Sequence, residues 1–284
     1  MQLRHILAAA DDSPEGRLAV LIGARLSALA SARFSVLTVA QAVDAPGMQA
    51  KLLQDLRRMV YGELAKIEGA VPEPVLAVAA GLPGIEIGRY AETEAADLVV
   101  VGRKRRSELQ RLLIGDTADS VARRSRTPCL FVKAGQEQMQ RVLVSLDGTE
   151  RGMAVLLAAM DFTRAIAARL HAVTVEPAYE NEAEAPRLLT GRSARLAQAV
   201  DDLRQSTNLG GGEWEVRPSI AGESPLVIQR GRVVDAVLTE VERSQADVLV
   251  LGYHRGGPAG VIEAGSIARR LAHDAPCAVL TIPL

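Results

Sequence analysis

Arg141-Val-Leu-Val-Ser-Leu-Asp-Gly-Thr149 reads as a second copy of His5-Ile-Leu-Ala-Ala-Ala-Asp-Asp-Ser13, 136 positions later in a chain of 284 residues. In each copy a short apolar run meets an aspartate and then a hydroxyl-bearing residue, the pattern of a buried strand that turns into a capped helix. At the same offset Gly16 falls on Gly152, and Ser31-Ala-Arg-Phe-Ser-Val-Leu-Thr-Val39 falls on Ala167-Ala-Arg-Leu-His-Ala-Val-Thr-Val175. Farther along, Ala96-Asp-Leu-Val-Val-Val-Gly102 matches Ala246-Asp-Val-Leu-Val-Leu-Gly252 at an offset of 150, as Gly115 matches Gly265. Thr127-Pro-Cys-Leu-Phe-Val132 and Ala275-Pro-Cys-Ala-Val-Leu280 agree at 148. A repeat on this scale means two copies of one folding unit, residues 1–137 and 138–284, with a short polar linker near Ala134–Gln140. The offsets imply 14 extra residues in the middle of the second copy and two fewer near its end.

Short β-branched runs alternate with helical patterns, which predicts βαβ units and a parallel sheet. Strands are expected at Arg4–Ala9, Arg33–Val39, Val75–Ala80, Leu98–Val101 and Cys129–Val132, and in the second copy at Arg141–Leu146, Leu170–Val175, Glu213–Ile220, Val248–Leu251 and Ala278–Ile282. The extra segment Glu223–Gly231 is read as an added strand or hairpin before a helix at Val233–Arg243. Near-continuous apolar strands suit a sheet covered on both sides. The fold class is therefore α/β: two tandem, open, parallel five-stranded sheets with helices on both faces, Rossmann-like. Cys129 and Cys277 fall at equivalent places after a proline and read as small buried hydrophobes, not as a metal or disulfide pair.

Composition narrows the partners. Hydrophobic residues make 48% and charged residues 24%, a globular balance, while aromatics at 3% leave no stacking platforms for nucleic acid. The net charge of -1 is shared evenly, with 18 basic and 16 acidic residues in 1–137 against 15 and 18 in 138–284, so no basic face invites nucleic acid or an anionic membrane. The start shows no leader pattern, and the apolar runs Ala19–Ala30 and Met153–Met160 are too short or too interrupted for the roughly 20 residues of a membrane span. A reduced, cytoplasmic protein is expected.

In an open parallel sheet the ligand crevice lies beyond the carboxyl ends of the strands, where the strand order reverses. Each copy sends three features there: an aspartate after the first strand (Asp11, Asp147), a glycine ending the fourth (Gly102, Gly252), and a glycine opening the last helix (Gly115, Gly265). Glycines let backbone approach phosphates, and a helix start offers them unpaired N–H groups.

Gly252-Tyr-His-Arg255, nine residues, then Gly265-Ser266 resembles the Gly-x2-Gly-x9-Gly-(Ser/Thr) pattern of ATP-binding members of the universal stress protein family, save that Arg255 replaces the second glycine. The resemblance spans nearly the whole chain, twice, and implies the adenine nucleotide alpha hydrolase-like fold. It implies ATP as ligand, any Mg²⁺ being carried by the phosphates. Asp147 would contact the nucleoside end and the backbone at Val175 the adenine edge. Gly252, His254, Arg255, Gly265, Ser266 and Ile267 would surround the phosphates. The first copy has Asp11, Val39, Gly102, Arg105, Gly115 and Asp116 at the matching places. Asp116, where the second copy has Ser266, would repel a phosphate by several kcal/mol at ~4 Å near a protein surface, so this site reads as degenerate.

No catalytic constellation or metal-ligand spacing appears: His5, His171, His254 and His273 lie on separate elements with no paired nucleophile. The resemblance allows slow ATP hydrolysis at most. The loops Asp11-Asp-Ser-Pro-Glu-Gly16 and Asp147-Gly-Thr-Glu-Arg-Gly152 do not fit a pyrophosphate-releasing enzyme. The expected function is a stress-response sensor that holds an adenine nucleotide mainly in the second copy and acts on protein partners. The alternative is a nucleotide-free scaffold of the same family. The resemblance further implies that the last strands of the copies, Leu130–Lys133 and Ala278–Ile282, meet as an intramolecular pseudo-dimer, with homodimerisation open.

Overall fold

The computed structural model describes residues 1–40, 47–103, 117–135, 137–176, 226–253 and 266–284. They form two compact units: residues Gln2–Glu137 with Ala278–Pro283, and Gln138–Cys277 with Met1 and Leu284.

In the first unit, β1 (His5–Ala9), α1 (Pro14–Ala30), β2 (Arg33–Ala40), α2 (Met48–Leu64), β3 (Val75–Ala80), α3 (Pro83–Thr93), β4 (Leu98–Gly102), α4 (Thr117–Arg124) and β5 (Cys129–Val132) follow in turn. The strands lie in the order β3-β2-β1-β4-β5, all parallel. Side chains alternate across the sheet. Leu7, Ala9, Leu37, Val99 and Val101 pack with Ile87 and Ala91 of α3 and Val121 of α4. Ala8, Phe34 and Val36 pack with Val20 and Ala24 of α1 and Leu56, Met59 and Val60 of α2. Helices thus cover both faces, as expected.

In the second unit, β6 (Arg141–Leu146), α5 (Glu150–Ala165), β7 (Arg169–Glu176), β8 (Leu226–Arg230), α6 (Val233–Arg243), β9 (Val248–Tyr253) and α7 (Ser266–Asp274) repeat the plan, with parallel order β9-β6-β7-β8. The strand β10 (Ala278–Pro283) pairs antiparallel with β5 in the first unit, Leu280 opposite Leu130 and Thr281 opposite Cys129. The expected sheet of five parallel strands is there joined by a sixth, antiparallel one.

The copies share backbone detail. Ser31 and Ala167, then Ala95 and Gln245, take left-handed conformations (φ 49° to 52°) at matching helix ends. The next amide closes each end: Ala32 N donates to Ser27 O, Ala168 N to Thr163 O, Ala96 N to Ala91 O and Ala246 N to Val241 O. Asp97 Oδ2 accepts the amides of Arg4 and His5 as Asp247 Oδ2 accepts those of Gln140 and Arg141, pinning the start of the central strand in each copy.

Two expectations are corrected. The segment around Leu226–Arg230 is no added strand: it is the third strand of the second sheet, paired with β7 as β3 is with β2. Gly231 (φ 130°) follows it as Gly81 (φ 138°) follows β3. The expected strand Glu213–Ile220 lies outside the described residues. The second correction is the place of the cysteines. Ser125 N donates to Val121 O and Ala275 N to Leu271 O, so the offset of 150 persists through the last helix and no two residues are missing. Cys129 opens β5, whereas Cys277 precedes β10 at the place of Thr127. Both cysteines are buried and neither forms a disulfide, as expected of small hydrophobes. Burial pushes the Cys129 thiol up to about 12.

Candidate functional site

Strand order reverses between β1 and β4 in the first unit and between β6 and β9 in the second, since the chain moves outward to one side of the central strand and returns on the other. Register places the candidates around these points. Ala9 pairs with both Leu37 and Val101, so Asp11 is level with Val39 and one step past Gly102. Leu146 pairs with Thr174 and Ser145 with Leu251, so Asp147, Val175 and Gly252 gather in the same way on strands about 4.8 Å apart.

The aspartates are held by their own loops. Thr149 N (3.0 Å) and Thr149 Oγ1 (2.7 Å) donate to Asp147 Oδ1, and Thr149 Oγ1 accepts Gly152 N (3.2 Å) as N-cap of α5. Ser13 does the same for Asp11: its N (3.1 Å) and Oγ donate to Asp11 Oδ1, and Oγ accepts Gly16 N (3.1 Å). A Cβ on Gly152 would sit 2.6 Å from Asp147 Oδ1, so that glycine exists to admit the carboxylate. The spacing Asp-x-(Ser/Thr)-x-x-Gly is one device: it locks one carboxylate oxygen of an exposed aspartate onto a helix start, where the dipole favours negative charge. Ser13, Thr149, Gly16 and Gly152 were visible as repeated positions; their tie to the aspartate was not.

The valines contribute backbone. Along a strand, the N–H and C=O of successive residues point alternately to the two neighbours. Glu176 O accepts Gly231 N on the β8 side (3.0 Å), so the N–H and C=O of Val175 turn toward β6, where the pairing of Leu146 with Thr174 takes the N–H to the Leu146 carbonyl and leaves the C=O past the strand end. In the first unit Ala40 O accepts Gly81 N and Leu37 O accepts Ala10 N, so Val39 likewise faces the gap past β1. In each repeat the valine carbonyl thus stands at the reversal point, an acceptor for the exocyclic amine of a heterocycle.

The glycines ending β4 and β9 answer first to packing. A Cβ on Gly102 would lie 2.8 Å from Glu15 Cβ and closer still to the Glu15 carbonyl, so α1 starts hard against it. At Gly252 the near atoms are side-chain ends, Leu284 Cδ1 (2.8 Å) and Val155 Cγ2 (2.9 Å). Ser266 opens α7, and Ile267 in its first turn is exposed. His254, Arg255, Gly265, Arg105, Gly115 and Asp116 lie outside the described residues. Among the described residues no group of three His, Cys, Asp or Glu could hold a metal ion, and no helix is long and apolar enough to cross a membrane.

His5 and His171 are buried on β1 and β7, away from the reversal points. His5 Nδ1 lies 3.0 Å from Glu94 O, which can only accept, so Nδ1 carries the proton and Nε2 accepts from Ser35 Oγ (2.8 Å). Burial pushes its pKa below the ordinary 6.5. His273 is exposed beside Asp274 (2.7 Å).

A model of the universal stress protein family matches residues 2–133 and again 139–283. The chain belongs to the universal stress protein family. A curated universal stress protein of Methanocaldococcus jannaschii is 36% identical over 58 residues, 20% of this chain and 34% of that protein, so the match spans about a third of that relative's length. A solved structure from Pseudomonas aeruginosa, described as functionally unknown, shares 17% identity at a TM-score of 0.69 and covers 99% of this chain and 92% of its own. A universal stress protein from Archaeoglobus fulgidus shares 16% at 0.67, covering 99% and 97%. At these identities the likeness is one of fold, and it extends through both repeats of this universal stress protein.

Proposed function

We propose that this chain is a cytoplasmic stress-response sensor that binds ATP or another adenine nucleotide at the reversal point of its second repeat. The observation that carries the reading is the backbone of Val175: its C=O faces the gap past β6, level with Asp147 and beside Gly252. Adenine offers a matching exocyclic amine. The exposed carboxylate of Asp147 would accept a ribose hydroxyl. The start of α7 at Ser266 and Ile267 would face the phosphates with free amides, helped by Gly252, His254, Arg255 and Gly265. Bound nucleotide would bring Mg²⁺ on its phosphates. The absence of a paired nucleophile and base in the sequence supports a sensor over an enzyme, with slow hydrolysis as the upper limit.

The first repeat, through Asp11, Val39 and Gly102, keeps the frame, but Asp116 follows Gly115, where the second repeat has Ser266, and supports a structural role there. The antiparallel pairing of β5 with β10 supports a pseudo-dimer of the two repeats. Protein partners would read the nucleotide state.

One observation favours a nucleotide-free scaffold as the second reading: Gly102 is explained by its contact with Glu15 without any ligand. Titration of the purified chain with labelled ATP separates the two. The proposal expects one site per chain, lost in Gly265→Val with the melting temperature unchanged. No nucleotide in mass analysis of fresh protein, together with no heat stabilisation by ATP, refutes it.

A further inference from the structure

The two repeats part company at the rim beside the valines. In the first unit β2 and β3 end in Val39 and Ala40 against Ala79 and Ala80. In the second the same registers hold Val175 and Glu176 against Gln229 and Arg230. Tyr90 and Thr93 of α3 are likewise matched by Glu240 and Arg243 of α6. Ala79 and Tyr90, both packed on the apolar core of the first unit, have thus been exchanged for polar residues, and the exposed Thr93 for Arg243.

The set is ordered. Glu240 is fully buried, and its oxygens accept Arg243 Nη2 (2.8 Å) and Nε (3.0 Å). Gln229 Nε2 donates to Glu240 Oε2 at 3.1 Å. A carboxylate can only accept, so Gln229 must turn its NH2 arm to Glu240 and its carbonyl arm away. Register partners in a parallel pair project to the same side, so Gln229 stands next to the Val175 side chain on the α6 face, about 4.8 Å along the sheet. A lone buried carboxylate and its cation contribute little net stability, so stability alone does not account for the exchange.

We propose that Gln229 is a specificity-determining residue: its carbonyl oxygen accepts a hydrogen from the exocyclic amine of a purine whose neighbouring edge meets Val175. Glu240 acts through it as a positioning residue. The inference rests on the nucleotide reading above and adds the base preference: an amino-purine is accepted, and a base with a carbonyl at that position meets oxygen against oxygen. The first repeat, with Ala79 there, has no such reader.

The test is calorimetric titration of the full chain with ATP and with ITP, which differ at that position by amine against carbonyl. Wild type should prefer ATP by at least about fivefold, the worth of one neutral hydrogen bond. Gln229→Met, close in volume and without the amide, should cut the ATP-to-ITP ratio about fivefold through weaker ATP binding alone, with ITP within about twofold of wild type and the part of the preference set by the Val175 carbonyl retained. Glu240→Gln, which lets either amide orientation form, should lower the ATP to ITP ratio as well. Melting curves confirm that each variant is folded. Equal loss of both nucleotides in Gln229→Met, or an unchanged ATP-to-ITP ratio, overturns this inference and leaves the nucleotide reading standing. Binding of neither nucleotide by wild type overturns both.

Discussion

Gly102 and Gly252 occupy the same place in the two repeats, yet an added methyl should cost very different amounts. At Gly102 the new Cβ would meet Glu15 at 2.8 Å from its Cβ and nearer to its carbonyl, and this is helix backbone that cannot step aside. Ordinary contact begins near 3.4 Å, so the end of β4 or the start of α1 must shift by more than half an ångström. Gly102→Ala should therefore destabilise by about 1–3 kcal/mol, the usual range for overpacking. At roughly 4 °C per kcal/mol for a unit of this size, that is a fall of about 4–12 °C in Tm. At Gly252 the obstacles are Leu284 Cδ1 and Val155 Cγ2. Val155 is β-branched and stiff, but half-buried Leu284 can change rotamer, so Gly252→Ala should cost below about 1 kcal/mol. Neither residue has positive φ, so strain plays no part. Scanning calorimetry on the two variants, without nucleotide, decides it. A Gly102→Ala protein as stable as wild type, or a Gly252→Ala protein melting below the Gly102→Ala one, would refute the argument that closeness to α1 sets this glycine.

Two further perturbations test the same physics. His5, buried and neutral, binds a proton less readily folded than unfolded; stability should be level above pH 6.5, fall as pH drops from there toward the lowered folded value, and then flatten. His5→Gln should remove this slope in urea titrations between pH 7 and 5, and an unchanged slope would clear His5 of the effect. Thr149→Ala and Ser13→Ala each delete a cap that also holds an aspartate. Each should cost about 1 kcal/mol, and the double variant about 2, by chemical denaturation.

The order of elements was legible because each strand is an apolar run closed by Asp, Gly or Pro, and because the repeat supplied every reading twice. Strand β6 falls where expected, at Arg141–Leu146, and β3 at Val75–Ala80. The errors came where side chains and backbone disagree. Two Pro-Cys pairs, at Pro128 and Pro276, drew the alignment to 148, although the helix before each ends at 150. Leu226–Arg230 was hard to see as the counterpart of β3 because Gln and Arg stand in place of Ala, and only Gly231 kept the signature. At the site, Asp147, Gly252 and Val175 could be placed at strand ends from sequence. The capture of Asp147 by Thr149, the direction of Val175's peptide groups and the tie of Gln229 to Glu240 are facts of geometry that no local pattern announces.

The partnership of β5 with β10 carries a consequence for biogenesis. The outer edge of the first sheet is closed by Ala278–Pro283, which the ribosome delivers only after the rest of the second repeat. Throughout synthesis of the second repeat, the apolar run Cys129–Val132 presents open amides and carbonyls that another nascent copy could take up. Chaperone engagement and resistance to early termination should therefore be governed at this seam, far along the chain from the crevice.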